Sequence, residues 1–312
     1  MKRLITAALA SAMIIGTPSF AEESTPTFKA TEVAPGIHML SGVGGFTGGN
    51  IGLSIGEDGV VMIDDSMPPM LDNMKKAIES VTTKPVNFLI NTHVHGDHTG
   101  NNSSMANDGA HIVAHKNLRE HLIKKGIPTG NGKMQKAPES FLPVITFTHS
   151  MSFHLNGDEA NLIHTPHAHT DGDAIIHFKK ANVIHAGDVF FNGMYPYIDV
   201  ASGGSVDGYI KAQEHVISLA NDKTKIIPGH GPLANKKDLE NTLAMVKDVR
   251  KIIKKLIKDG KSEDEAVNAN PLKQYHDKWN WQFITTEKMI RQVYQSLTSD
   301  KKHKHNGKEH RH

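Results

Sequence analysis

Apolar runs too short for helices, separated by polar and glycine-containing turns, dominate the first two thirds of the chain. Residues 51–55, 60–63, 86–90, 111–114, 161–164, 174–178 and 182–185 are rich in Val and Ile and read as strands. Stretches of helical periodicity alternate with them at 68–81, 116–125, 206–221 and 235–258. Pro68 and Pro69 open the first of these, where a helix tolerates proline. Alternation of this kind predicts stacked α/β layers rather than a bundle or a barrel.

After residue 232 the pattern turns helical, with a lysine-rich segment and then Ser262-Glu263-Asp264-Glu265, which reads as a helix start. The last residues, KKHKHNGKEHRH from Lys301, are low-complexity and polar and predict disorder over 300–312. At the other end, Lys2 and Arg3 precede the apolar stretch 4–16 and the small residues of Ser19-Phe20-Ala21. That is the pattern of a signal peptide over 1–21, cleaved after Ala21. Its apolar part is shorter than the ~20 residues of a membrane span. The mature protein is therefore expected to be periplasmic or secreted, with no membrane attachment after cleavage.

Charge and cysteine content narrow the function. Without Lys2 and Arg3 the 35 basic residues become 33, equal to the 33 acidic ones. Such a neutral chain offers no field for nucleic acid, so a small-molecule substrate is expected. Cysteine is absent, so any metal must be held by histidine and carboxylate.

The segment NTHVHGDHTG, residues 91–100, follows the apolar run 86–90 and crowds His93, His95, Asp97 and His98 together. Loops past the carboxyl ends of strands are where α/β proteins hold ligands. His93 and His95, two apart, share one side of an extended segment. One loop cannot complete a coordination shell, and TPHAHTDGD (165–173), HAGD (185–188) and IIPGHGP (226–232) each supply His or Asp beside a predicted strand end.

The ordered set His93, His95, Asp97, His98, His169, Asp188 and His230, with Asp64 ending VVMIDD, resembles the metallo-β-lactamase superfamily over residues 31–232. The resemblance implies an α/β fold, an αββα four-layer sandwich with extra C-terminal helices. Residues 22–232 would form the catalytic domain and 233–299 a helical extension packed on it. It also implies two Zn2+ per chain, iron or manganese being the other metals such ligands accept. His93, His95 and His169 would hold the first, Asp97, His98 and His230 the second, and Asp188 would bridge them. Asp188, where several β-lactamases have Cys or Ser, brings the pattern nearer to glyoxalase II and lactonase relatives. The implied activity is an exported dinuclear zinc hydrolase, in which a hydroxide between the metals attacks an ester, lactone, thioester or β-lactam carbonyl. Asp97 would also shuttle a proton. Other readings are an iron-dependent enzyme similar to persulfide dioxygenases and a non-catalytic metal-binding protein.

Around this set, Asp64 is expected to orient a ligand histidine. Tyr195 and Tyr197 are candidates for hydrogen bonding to substrate, and the glycine-rich loop 41–50, with Phe46 at its tip, for a flap. The aromatic run 279–283 (WNWQF) reads as packing or a homodimer contact rather than as substrate contact.

Overall fold

The computed structural model describes residues 25–129 and 133–306; the expected signal peptide and residues 307–312 lie outside them. Two sheets stack face to face. The first has seven strands in the order Thr27–Ala34, Ile37–Val43, Ile51–Gly56, Gly59–Ile63, Val86–Ile90, His111–His115 and Ile145–Phe147. The second has six: Ser150–Leu155, Asp158–His164, Ala174–Phe178, Val183–Phe191, Lys225–His230 and Ala234–Asn235. Each begins as an antiparallel meander and becomes parallel towards its site-bearing strands, at Gly59–Ile63/Val86–Ile90 and at Val183–Phe191/Lys225–His230.

Alternation along the strands builds the layers. Val61, Ile63, Ile90 and Val113 face the second sheet and pack on Leu162, Ile176, Phe178 and Ile227. Their neighbours Val60, Met62, Leu89 and Ile112 face outward, onto Met74, Ala77 and Ile78 of the helix Leu71–Glu79. On the far side, Ile175, Ile184 and Ile226 pack on Ala212 and Val216 of the helix Val206–Leu219. Both sheets are thus buried on two faces, as parallel pairing requires, and the architecture is the expected αββα sandwich.

The helices after residue 232 form the outermost packing. The helix Lys236–Lys258 starts at a capping box between Asn235 and Asp238 and buries Val246, Val249 and Ile253. These meet Met289, Ile290 and Val293 of the last helix, Thr286–Asn306. That helix continues to Asn306, through the start of the segment expected to be disordered from residue 300. Once a docked turn nucleates a helix, each added residue extends it at little cost.

Predicted and observed elements differ where packing rather than pattern decides. The strand expected at 182–185 continues to Phe191, buried at every position. The strands Thr27–Ala34 and Ser150–Leu155 lie at sheet edges, half exposed, and their alternation is too polar to stand out. Proline delays the helix expected from residue 68: a single 3-10 turn, Pro68–Met70, precedes it.

Candidate metal centre

Seven side chains converge at one edge of the sandwich. His93 and His95 lie in the bend after the strand Val86–Ile90, and Asp97 and His98 in the short helix Gly96–Thr99 that follows. His169 comes from the turn after Asp158–His164, Asp188 from within Val183–Phe191 and His230 from the end of Lys225–His230. Their ligand atoms fall into two groups, each with all its atoms within 4.8 Å of one another: His93, His95, His169 and Asp188, and Asp97, His98 and His230.

Asp188 lies between the groups. Its Oδ2 is 3.5 Å from His93 Nε2 and 3.4 Å from His169 Nε2. Its Oδ1 is 3.1 Å from His98 Nε2 and 3.4 Å from His230 Nε2. Asp97 Oδ2 stands 3.3 Å from His230 Nε2 on the cavity side. Gly229 and Gly49 make this closeness sterically feasible. A Cβ at Gly229 would collide with Asp188 Oδ1, and one at Gly49 with the His98 ring.

The outer hydrogen bonds fix which nitrogen of each ring faces inward. His169 Nδ1 donates to the Tyr197 carbonyl at 2.8 Å, and His98 Nδ1 to Asp64 Oδ2 at 2.7 Å. His95 Nε2 donates to Asp199 Oδ2 at 3.0 Å. Thr92 gives its hydroxyl proton to Asp64, so at 3.0 Å it accepts from His93 Nδ1. Rings held this way, once neutral, aim lone pairs into the site. His95 Nδ1 and His169 Nε2 stand 2.8 Å apart with no proton to share. His93 Nε2 is buried without a hydrogen bond, and the only described groups within reach of Asp188 Oδ1 are the imidazole nitrogens of His98 and His230. Converging lone pairs and an orphaned buried atom suit a cation and little else. The nitrogen and carboxylate set suits a divalent metal.

Electrostatics separates the two groups. Burial, then His98, pushes His93 well below the usual histidine range, and burial brings His169 down to about 4. In the second group burial also opposes charge, but Asp188 outweighs it, holding His98 well up and His230 at about 9. The carboxyl groups respond in kind. Burial would raise Asp188 and Asp97, yet the imidazoles of His98 and His230 hold Asp188 far below the carboxylate range and Asp97 at about 2.

Asp64 stands where an orienting carboxylate would. It is fully buried at φ 61° and accepts from Thr92 N, Thr92 Oγ1 and His98 Nδ1. A left-handed aspartate costs backbone strain; the return is one carboxylate that supports the rings of both His93 and His98. The two tyrosines part company. Tyr197 stacks on His95, with centroids 5.5 Å apart, and lines the cavity. Tyr195 does not reach it: its ring is fully buried in the helical core, and its backbone N–H donates to the Trp279 carbonyl at 2.8 Å.

The cavity above the cluster has a volume of about 990 Å³. Phe46, at the tip of the loop 41–50, lies over His230 at 6.0 Å and forms part of its wall. Of the run 279–283, Trp279 packs in the core, but Trp281, Gln282 and Phe283 line the cavity. The expectation that this run serves packing or a homodimer contact rather than the substrate side holds for Trp279 as packing and is corrected for Trp281, Gln282 and Phe283, which face the cavity. Burial of the helices beneath it swings the segment over a site that is distant in sequence. Asp199 was also missed. The available signal was a carboxylate two residues past Tyr197.

Asp199→Asn should lower metal affinity at the first group by about 10–100-fold, because an amide can donate to His95 Nε2 and present the wrong ring tautomer. Competition with a chromophoric chelator measures this; an unchanged affinity would show that Asp199 does not set the orientation of His95.

An αββα sandwich with a histidine and aspartate cluster at one sheet edge is a hydrolase-type fold built around a metal-binding cluster. Residues 44–230 match the model of the metallo-beta-lactamase superfamily, and the chain belongs to that family. A curated relative, the 2,4-dinitroanisole O-demethylase subunit alpha of Nocardioides sp. (strain JS1661), is 26% identical over 180 residues, 56% of this chain and 50% of its own. A metallo-beta-lactamase from Pontibacter korlensis superposes with TM-score 0.58 at 14% identity, covering 71% of this chain and 99% of that one. The sec-alkylsulfatase Pisa1 from Pseudomonas sp. gives 0.63 at 15% identity, covering 86% and 50%. The chain thus spans about half the length of the demethylase subunit and of the sulfatase.

Proposed function

We propose that the protein is an exported dinuclear zinc hydrolase acting on the carbonyl of an ester, lactone, thioester or β-lactam. The observation that carries the reading is the division of Asp188, one oxygen towards each group of ligand atoms. His93, His95 and His169 would hold the first zinc, Asp97, His98 and His230 the second, and Asp188 both. A zinc pair so held supplies an activated water as nucleophile and polarises the carbonyl it attacks.

The chain's own residues do the rest. Asp64, Thr92 and Asp199 keep the rings in the ligating tautomer. Asp97, a quarter exposed and facing the cavity, would take a proton from the attacking water and pass it to the leaving atom, oxygen, sulfur or nitrogen according to the substrate. The aromatic walls exclude bulk water from the reacting atoms. Export rests on the pattern of residues 1–21, and an N-terminus beginning at Glu22 in intact-mass analysis of the mature protein would support it.

The test is metal analysis of the purified protein, then assay on a chromogenic cephalosporin, an acyl-homoserine lactone, a glutathione thioester and a nitrophenyl ester. About two zinc ions per chain and cleavage of at least one compound are expected. A fully loaded protein that cleaves none would overturn the reading. The relatives are named for a β-lactam, a sulfate ester and an O-methyl group, so the scaffold alone does not choose the bond.

A further inference from the structure

Above the cluster the cavity wall is largely aromatic. Tyr197 stacks on His95, Phe283 meets Tyr197 at 5.5 Å, and Trp281 meets Phe283 at 5.6 Å. Phe191 stacks on His230 at 4.9 Å, and Phe46 on the same ring at 6.0 Å. The arc therefore passes from the first ligand group to the second, its rings stacked on His95 and His230 and meeting edge to face between them, and it walls the cavity over the cluster. Phe46 and Phe283 are 58% and 49% exposed, large for phenylalanines, so the wall has apolar surface to cover.

What the wall lacks is equally informative. Among the described residues that line it, none is Lys or Arg; beyond the cluster its polar side chains are Asp199, Gln282, the phenol of Tyr197 and the indole of Trp281, whose N–H is taken up by the Tyr195 carbonyl. Lys288 is not among the lining residues: its Nζ donates to the Phe283 carbonyl at 2.8 Å and lies 5.2 Å from the ring centre. Two divalent cations in the cluster would be matched by the carboxylates of Asp64, Asp97, Asp188 and Asp199, with no positive charge left over. An anionic substrate would meet Asp199 and Asp97 in a low-dielectric slot with no counter-ion, and an uncharged one would pay no such cost.

We infer that the substrate is an uncharged aryl ester, whose flat ring lies against Trp281 and Phe283 while its carbonyl faces the cluster; this rests on the hydrolase reading above. Hydrolysis breaks the acyl–oxygen bond, adds the water's oxygen to the acyl carbon and returns a proton to the phenolate. The slot thus selects against carboxylate-bearing substrates such as β-lactams and glutathione conjugates.

The experiment compares phenyl acetate with 4-carboxyphenyl acetate on the zinc-loaded protein. The carboxylate makes the better leaving group, so intrinsic reactivity runs against the expected result, a kcat/KM at least about tenfold higher for phenyl acetate. Calorimetric titration with acetanilide and 4-acetamidobenzoate gives the same comparison without turnover. Gln282→Lys, on an exposed lining position, should narrow the gap between acetanilide and 4-acetamidobenzoate by raising affinity for the latter. Equal or reversed preference, or failure to bind acetanilide, would overturn the substrate class even if the protein hydrolyses esters. Preferential acetanilide binding without cleavage of either acetate would uphold the slot's selectivity and remove the hydrolase reading instead.

Discussion

Asp188→Ala should reduce hydrolysis by about 10³-fold or more, a loss of roughly 4 kcal/mol in transition-state stabilisation, and lower bound zinc from two per chain to one or fewer. The reason is geometric: Asp188 alone among the seven offers an oxygen to both groups. Asp188→Asn separates charge from shape. It keeps one ligating oxygen and should retain a single zinc, with activity still depressed. Both are read by metal analysis beside steady-state rates, with circular dichroism to confirm that the variant folds. Two zinc ions and activity within tenfold of the parent protein would mean that the two groups do not work as one centre.

The second large effect is the pH dependence of metal loading. In the metal-free protein His230, held near 9, and His98, also raised, keep their protons at neutral pH because Asp188 and the neighbouring carboxylates face them. His93 and His169, lowered by burial, are already neutral there. Zinc must therefore displace protons from the second group but not from those two rings of the first. Affinity at the second group should fall by about tenfold for each displaced proton per pH unit below about 9. His169 begins to compete for protons only as pH approaches about 4. Dialysis at stepwise lower pH should then release the second zinc well before the first. Calorimetry in buffers of different ionisation enthalpy should show proton release that accompanies chiefly the second ion. Simultaneous loss of both ions at one pH would contradict this asymmetry.

Legibility in the sequence followed locality. Val86–Ile90, Ala174–Phe178 and Lys116–Lys125 coincide with their predicted bounds, because each is an uninterrupted run whose neighbours break it cleanly. The crowded segment at 91–100 stands out because its four polar side chains are close in the chain before folding brings them anywhere. Asp199 could not be paired with His95 in this way: 104 residues separate them, and only the stacking of the sheets closes the distance. Trp281 and Phe283 were harder still. An aromatic run beside lysine-rich helices looks like core, and Trp279 is core; what turns its neighbours outward is the extended residue Asn280 after the short helix His276–Trp279. The rim of the site is therefore set by tertiary contacts, whereas its floor is set by local motifs.

Each group of ligand atoms draws from both sheets: His93 and His95 with His169 and Asp188, and Asp97 and His98 with His230. Ions held there would act as rivets across the sandwich seam. Peeling the halves apart would then break coordinate bonds on both sides at once, and the loaded protein's lifetime would be governed by how slowly its ions let go.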